Sequence, residues 1–369
     1  MAYVLILGIF LAILFNFVNG LNDAANSIAT VIATRVLTPP QAVGMAAFFN
    51  MIGPLFFTTA VAKTIGKEIV DPSAMTVHTI FIAVLIAVVW VFISSRIGIP
   101  ISTSHALVGG ILGSAIAAFG IGACLWPPLE SIAGVTVVFV SGGISGGIIL
   151  PAIARWKGES NWREYYRMGS ACGVTLAVPI LLATHVFVIK GILAIVLFIF
   201  ISPALGFIAS YLLCLLVMRI IARSRERRIE HHFNRLQVFS AAFYSMGHGS
   251  NDAQNAMGII TAMLFSAGML QEFRVPPWVI VVSCIAISLG TLLGGWRVVG
   301  TMAKKITHLR PYQGFSAETA GGVVLSFITT FGIPVSTTHA ISGAIMGVGA
   351  TQGYAAVQWS VVRRRQCTP

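Results

Sequence analysis

Long apolar runs recur from one end of this chain to the other. They occupy 2–19, 42–62, 76–95, 131–151, 168–188, 191–218, 236–269 and 278–299, with shorter ones at 101–120, 316–332 and 334–350. A helix of about 20 such residues spans the hydrocarbon of a bilayer, so a chain built of them folds in lipid. The runs are continuous rather than alternating, which excludes a barrel of the outer-membrane type. Charged residues make up only 9% of the chain and mean hydropathy is +0.90, against about a quarter charged in soluble domains. The expected fold is an all-α polytopic membrane protein, multi-pass in the plasma membrane of a bacterium or archaeon, with the lipid bilayer as its solvent.

The net charge of +12 is not a nucleic-acid signal, because it sits in short loops between apolar runs rather than on a solvated patch. The densest segments are Arg219 to Arg235 and Arg155 to Arg167. Such loops stay on the cytoplasmic side and meet lipid headgroups. The five cysteines, Cys124, Cys172, Cys214, Cys284 and Cys367, form no CxxC pair, so neither a zinc site nor a disulfide framework is expected. No cleavable leader is expected either, since the first apolar run passes straight into a polar motif.

That polar motif is the informative part. "FNFVNGLNDAANSIAT" at 15–30 matches "YSMGHGSNDAQNAMGI" at 244–259, placing Asn19 opposite His248, Asp23 opposite Asp252 and Asn26 opposite Asn255. Downstream, "GIPISTSHALVGGILG" at 98–113 matches "GIPVSTTHAISGAIMG" at 332–347. Two motifs in one order at nearly one spacing make the chain a duplicated unit. We expect a first repeat over 1–151, connecting transmembrane helices with a basic cytoplasmic loop over 152–235, and a second repeat over 236–369.

Each copy interrupts its helices at the same places. The Gly before Asn-Asp is expected to break one helix, so that 2–36 forms a single broken crossing. Ile-Pro followed by Ser-Thr ends one helix and caps the next. Runs 76–95 with 101–120, and 316–332 with 334–350, then make re-entrant hairpins turning near Pro100 and Pro334 at the membrane midplane. With 2–36, 42–62, 131–151, 168–188 and 191–218 as crossings, an odd number separates the copies, so they are inverted. An outside N-terminus places Arg35, both basic loops, Lys304, Lys305, Arg310 and Arg363 to Arg365 inside. Lys63, Lys67, Lys190 and Arg274 fall outside, partly balanced by Glu68, Asp71 and Glu272.

Inverted repeats with helices interrupted at the midplane are the build of a secondary transporter. The runs Ser102-Thr103-Ser104 and Ser336-Thr337-Thr338 each open a helix whose free N–H groups and positive dipole end favour an anion. Asp23 and Asp252 should repel that anion. The conflict resolves if the ligand carries its own O–H donors, as dihydrogen phosphate does and sulfate does not, or if a cation sits between carboxylate and anion. Asn22, Asp23, Asn251 and Asp252 suit a hard cation such as sodium, and Glu318, ionisable within an apolar run, is a further coupling-ion candidate. The substrate set is Asp23, Asn26, Ser102, Thr103, Ser104, Asp252, Asn255, Ser336, Thr337 and Thr338. His105, His248, His339 and Arg96 are supporting candidates, Arg96 being either an anion partner or a topology charge that snorkels.

These residues, with "GWRVVGTMAKKIT" at 295–307, make the chain similar to the inorganic phosphate transporter (PiT) family, whose duplicated motif is written G-x-N-D-x-x-N. The resemblance runs over essentially the whole chain. It implies symport of inorganic phosphate with sodium or a proton as coupling ion and no other cofactor; some bacterial members carry phosphate as a neutral metal complex, and a branch carries sulfate. Family ligands map onto Asp23, Asn26, Asp252, Asn255 and the two Ser/Thr runs. A homodimer is the expected assembly. The first copy is followed by a crossing at 131–151 whose counterpart is not found after "WSVVRRRQCTP", so a final helix is expected to be missing from the second repeat. The alternatives at this stage are a sulfate or related oxyanion permease of the same build and, from a different class, an anion channel. A membrane enzyme is the weakest, for want of a nucleophile-base or metal constellation.

Overall fold

The structure, a computed structural model, describes residues 2–156, 162–184, 191–222, 226–305, 309–353 and 357. Lys190, Cys367, Arg363 to Arg365 and the expected absence of a final helix fall outside the described residues, as do parts of both basic loops.

The elements in chain order are α1 (Ala2–Ala33), α2 (Pro39–Ile52), α3 (Ala60–Lys67), α4 (Val77–Ile97), α5 (Thr103–Phe119), α6 (Leu129–Trp156), α7 (Trp162–Thr184), α8 (Gly191–Ile221), α9 (Glu226–Ser266), α10 (Pro277–Leu293), α11 (Trp296–Lys305), α12 (Pro311–Thr330) and α13 (Thr337–Ala350). The fold is all-helical, and among the described residues the one extended pairing is an isolated bridge between Val70 and Cys124. Helices α1, α4, α6 and α8 are each long and apolar enough to cross a membrane. Helix α9 is 41 residues long but less apolar, because His248, Ser250, Asn251, Asp252, Gln254 and Asn255 lie along its buried side.

Helices α1 and α9 pack against each other at the centre. Helix α1 also meets α4, α10 and α11, and α9 meets α2, α3 and α12. Both Pro-containing turns form as the sequence predicts. Helix α4 ends at Gly98 in the left-handed conformation (φ 82°), and Ser102 caps α5 by accepting the His105 N–H at 3.3 Å. Ser336 caps α13 in the same way, accepting the His339 N–H at 3.2 Å. Helices α4 and α5 pack on each other, as do α12 and α13, so each motif forms a helical hairpin.

Two expectations are corrected. The crossing at 42–62 and the apolar run at 278–299 are not single rods: α2 with its short 3₁₀ extension turns into α3 at 79°, and α10 turns into α11 at 71°. The helix carrying each Asn-Asp pair is not broken, since α1 and α9 run through Gly20 and Gly249 without interruption. These glycines serve close packing instead. A Cβ at Gly20 would overlap the Ile287 carbonyl on α10, and one at Gly249 would overlap the Asn50 backbone on α2. The contacts are reciprocal, with Gly290 against the Phe17 carbonyl and Gly53 against the Met246 carbonyl. Removing side chains where helices cross lets their backbones approach, as small residues do in membrane interfaces.

Candidate functional site

The close crossings bring Asp23 and Asp252 face to face in the interior, each 1% exposed. Asp23 accepts from Asn22 Nδ2 at 2.6 Å and from the Thr103 hydroxyl at 3.1 Å. Asp252 repeats the pattern, accepting from Asn251 Nδ2 at 2.9 Å and from the Thr337 hydroxyl at 3.5 Å. Asn251 also donates to the Val335 carbonyl at 3.0 Å, tying α9 to the second hairpin turn.

Each aspartate thus bonds the hairpin of its own copy, Asp23 also accepting from the Thr338 hydroxyl of the other at 3.5 Å, and the second asparagine of each motif reaches across. Asn26 Nδ2 donates to the hydroxyls of Thr338 (2.9 Å) and Thr337 (3.2 Å), and Asn255 Nδ2 donates to Ser104 Oγ at 2.8 Å. The Thr338 hydroxyl meets the Ile101 carbonyl at 3.2 Å, so the two hairpin turns touch. Ten of the residues singled out in the sequence therefore converge here: Asn22, Asp23, Asn26, Thr103, Ser104, Asn251, Asp252, Asn255, Thr337 and Thr338. Ser102 and Ser336 stand one residue back, their oxygens committed to capping.

His248 enters from the turn of α9 before Asp252. Its Nε2 lies 3.3 Å from Asp252 Oδ2, and one ligand atom each from Asp23, His248 and Asp252 falls within 4.8 Å of the others, all buried. Its counterpart in the first copy, Asn19, is fully buried and neither of its side-chain atoms has a hydrogen-bond partner. The two halves of the site are thus chemically unequal.

The remaining candidates lie elsewhere. The rings of His105 and His339 face each other across the two hairpins, centroids 5.8 Å apart, with His105 Nε2 and His339 Nδ1 buried and unpartnered. Arg96 is not in the site. It is exposed at the end of α4, its guanidinium 4.9 Å above the Phe92 ring, while its carbonyl accepts from Arg297. An arginine one turn from a helix end escapes burial by extending outward, which is the snorkelling alternative. Glu318 is buried but forms a separate cluster, accepting from the Ser240 hydroxyl and from Gln237 Nε2 at 3.2 Å, with Gln237 Oε1 accepting from Thr34 at 3.0 Å.

Sequence reasoning missed Asn50, Thr291 and Tyr244. The Asn50 Oδ1 lies 3.1 Å from His248 Nδ1, Asn50 Nδ2 donates to Thr291 Oγ1 at 2.9 Å, and the Tyr244 hydroxyl donates to the Thr337 carbonyl at 3.1 Å. Asn50 carried a usable signal, a polar side chain in the apolar run 42–62.

Chemically, the site pairs opposites. Two carboxylates at close range in a medium of low polarity demand a cation or a proton. Beside them, the first turns of α5 and α13 present free backbone N–H groups, hydroxyls and the positive ends of two helix dipoles, a setting for an oxyanion.

Comparison with known proteins bears on what that oxyanion is. The profile of the phosphate transporter family matches residues 19–168 and 167–367. A probable low-affinity inorganic phosphate transporter of Rhizobium meliloti (strain 1021) is 41% identical over 363 residues, covering 98% of this chain and 90% of the relative. One of the same description from Bacillus subtilis (strain 168) is 33% identical over 366 residues, covering 98% and 91%. A solved structure described as the sodium-dependent phosphate transporter superposes with a TM-score of 0.67 at 26% identity, covering 98% of this chain and 93% of that one.

Proposed function

Because the chain belongs to the phosphate transporter family, a family of multi-pass membrane proteins, we propose that it imports inorganic phosphate across the plasma membrane together with a cation, by alternating access. The observation that carries this reading is the convergence of two helix N-termini, from α5 and α13, on the facing carboxylates of Asp23 and Asp252. Phosphate is favoured over sulfate because dihydrogen phosphate donates hydrogen bonds that a carboxylate accepts, while sulfate at neutral pH has none to give. The cation, sodium or a proton, offsets the carboxylate charge and lets an anion enter a negatively charged cell.

The two hairpins and the two buried aspartates form the moving centre. Asn26 and Asn255 each bridge the two copies, so breaking their bonds on one face at a time couples substrate occupancy to rocking of one repeat against the other. The repeats act as inverted units, and the working assembly is a homodimer. Glu318 belongs to a second polar cluster on α9 and α12 that senses the cation rather than touching phosphate.

One observation favours a second reading of the cation. His248 Nε2 beside two carboxylate oxygens is a ligand set that suits a divalent transition metal better than sodium, in which case phosphate travels as a metal complex. Equilibrium binding of labelled phosphate to the purified chain tests the proposal. Binding strengthened by sodium, by low pH or by a divalent metal, and not displaced by equimolar sulfate, supports it and names the cation. Binding indifferent to all three, or displaced by sulfate, contradicts it.

A further inference from the structure

Three fully buried polar side chains form a chain that ends on the cation side of the site: Thr291 on α10, Asn50 on α2 and His248 on α9. Its hydrogen-bond directions follow from donor counting. The Thr291 hydroxyl has one proton, which goes to the Ile287 carbonyl at 2.9 Å, so its lone pair accepts from Asn50 Nδ2 at 2.9 Å. That turns the Asn50 amide so that its oxygen faces His248 Nδ1 at 3.1 Å, and an oxygen can only accept there. His248 Nδ1 therefore carries a proton. The other nitrogen, Nε2, lies 3.3 Å from Asp252 Oδ2 and has no hydrogen-bond partner.

A buried ring nitrogen facing a carboxylate oxygen calls for a positive species between them, a proton or a bound cation. Metal-binding imidazoles are built in this way, with the far N–H donated to a carbonyl or carboxylate that fixes ring and tautomer. We infer that Asn50, oriented by Thr291, is a positioning residue for the transported cation, holding His248 so that Nε2 joins Asp23 and Asp252 as a third ligand. The inference rests on the cation-coupled reading above. It also assigns the asymmetry between the repeats: Asn19 opposite His248 supplies no such nitrogen, so one cation site is built from an internally duplicated pair.

The test uses Co²⁺ as a spectroscopic probe, titrated into the purified, untagged chain carrying His231→Ala and His232→Ala to remove the exposed adjacent imidazoles. Its d–d absorption distinguishes mixed nitrogen-oxygen ligation from oxygen alone. Asn50→Ala and the near-isosteric Thr291→Val are expected to weaken Co²⁺ by about 10–100-fold and to move the bands toward an all-oxygen set, as His248→Ala does, while Asn50→Asp, which keeps an acceptor oxygen, restores both. Thr291→Val keeps the test valid if Asn50→Ala fails to fold. Wild-type affinity and bands in Asn50→Ala and Thr291→Val, with loss in His248→Ala, overturn the positioning role and leave the cation site standing. Wild-type titration in all of these and in Asp23→Asn overturns the cation site itself.

Discussion

The substitution Gly249→Ala adds one carbon where α9 crosses α2. That carbon would overlap the Asn50 carbonyl and lie 2.5 Å from the Asn50 Cα, against 3.4 Å for ordinary contact. Backbone on both sides leaves no flexible side-chain end to yield, so the helices must separate by at least about 0.9 Å. Overpacking of this kind costs about 1–3 kcal/mol of folding stability. The same displacement carries Asn50 off His248: the 3.1 Å contact lengthens to about 4 Å, beyond hydrogen-bond range. A shift of about 1 Å at a binding constellation costs on the order of 100-fold in rate. Gly44, on the same helix α2, has no atom within 4 Å of a built Cβ, so Gly44→Ala is the control and raises helix stability by up to about 1 kcal/mol. Labelled-phosphate uptake into proteoliposomes, with a thermal melt on the same preparations, reads both effects. Wild-type uptake and melting in Gly249→Ala would refute the argument that this glycine exists for close packing.

Other outcomes follow from the same geometry. Asp23→Asn and Asp252→Asn each reduce gradient-driven uptake to background, because either removes charge from the pair proposed to hold the cation; near-normal coupled transport in one would take that carboxylate out of the mechanism. Thr337→Ala raises the KM for phosphate, since its hydroxyl lies between Asn26 and Asp252, whereas Ser102→Ala loses a cap worth about 1 kcal/mol and is read mainly in thermal stability. An unchanged KM in Thr337→Ala would reduce that hydroxyl to scaffolding. Glu318→Ala strands the Ser240 hydroxyl and the Gln237 amide and lowers stability by about 1–3 kcal/mol, with Glu318→Gln recovering most of it in a melt.

How much of this was legible beforehand depended on whether a residue's role is local. Asp23 and Asp252 stood out because an ionisable group at membrane depth needs a reason, and Ser102 and Ser336 were readable as caps because a helix start is written in adjacent residues. The hairpins followed from Pro100 and Pro334 by the same local logic. Gly20 and Gly249 were misread because glycine serves two ends, conformational freedom and absence of a Cβ, and choosing between them requires knowing that Ile287 and Asn50 lie opposite. Asn50 and Thr291 come from separate helices whose meeting no spacing announces. Arg96 turned on depth, and a side chain near a helix end can reach water from either side of the question.

The central claim is that phosphate and a cation move together through one site. The direct measurement is labelled-phosphate accumulation in proteoliposomes under an imposed sodium gradient, an imposed proton gradient or neither, with sulfate as competitor. The account predicts accumulation above equilibrium under one gradient, insensitive to equimolar sulfate and absent without a gradient. Flux that only equilibrates phosphate, gradient or not, would contradict it and leave the same helix ends lining an anion channel.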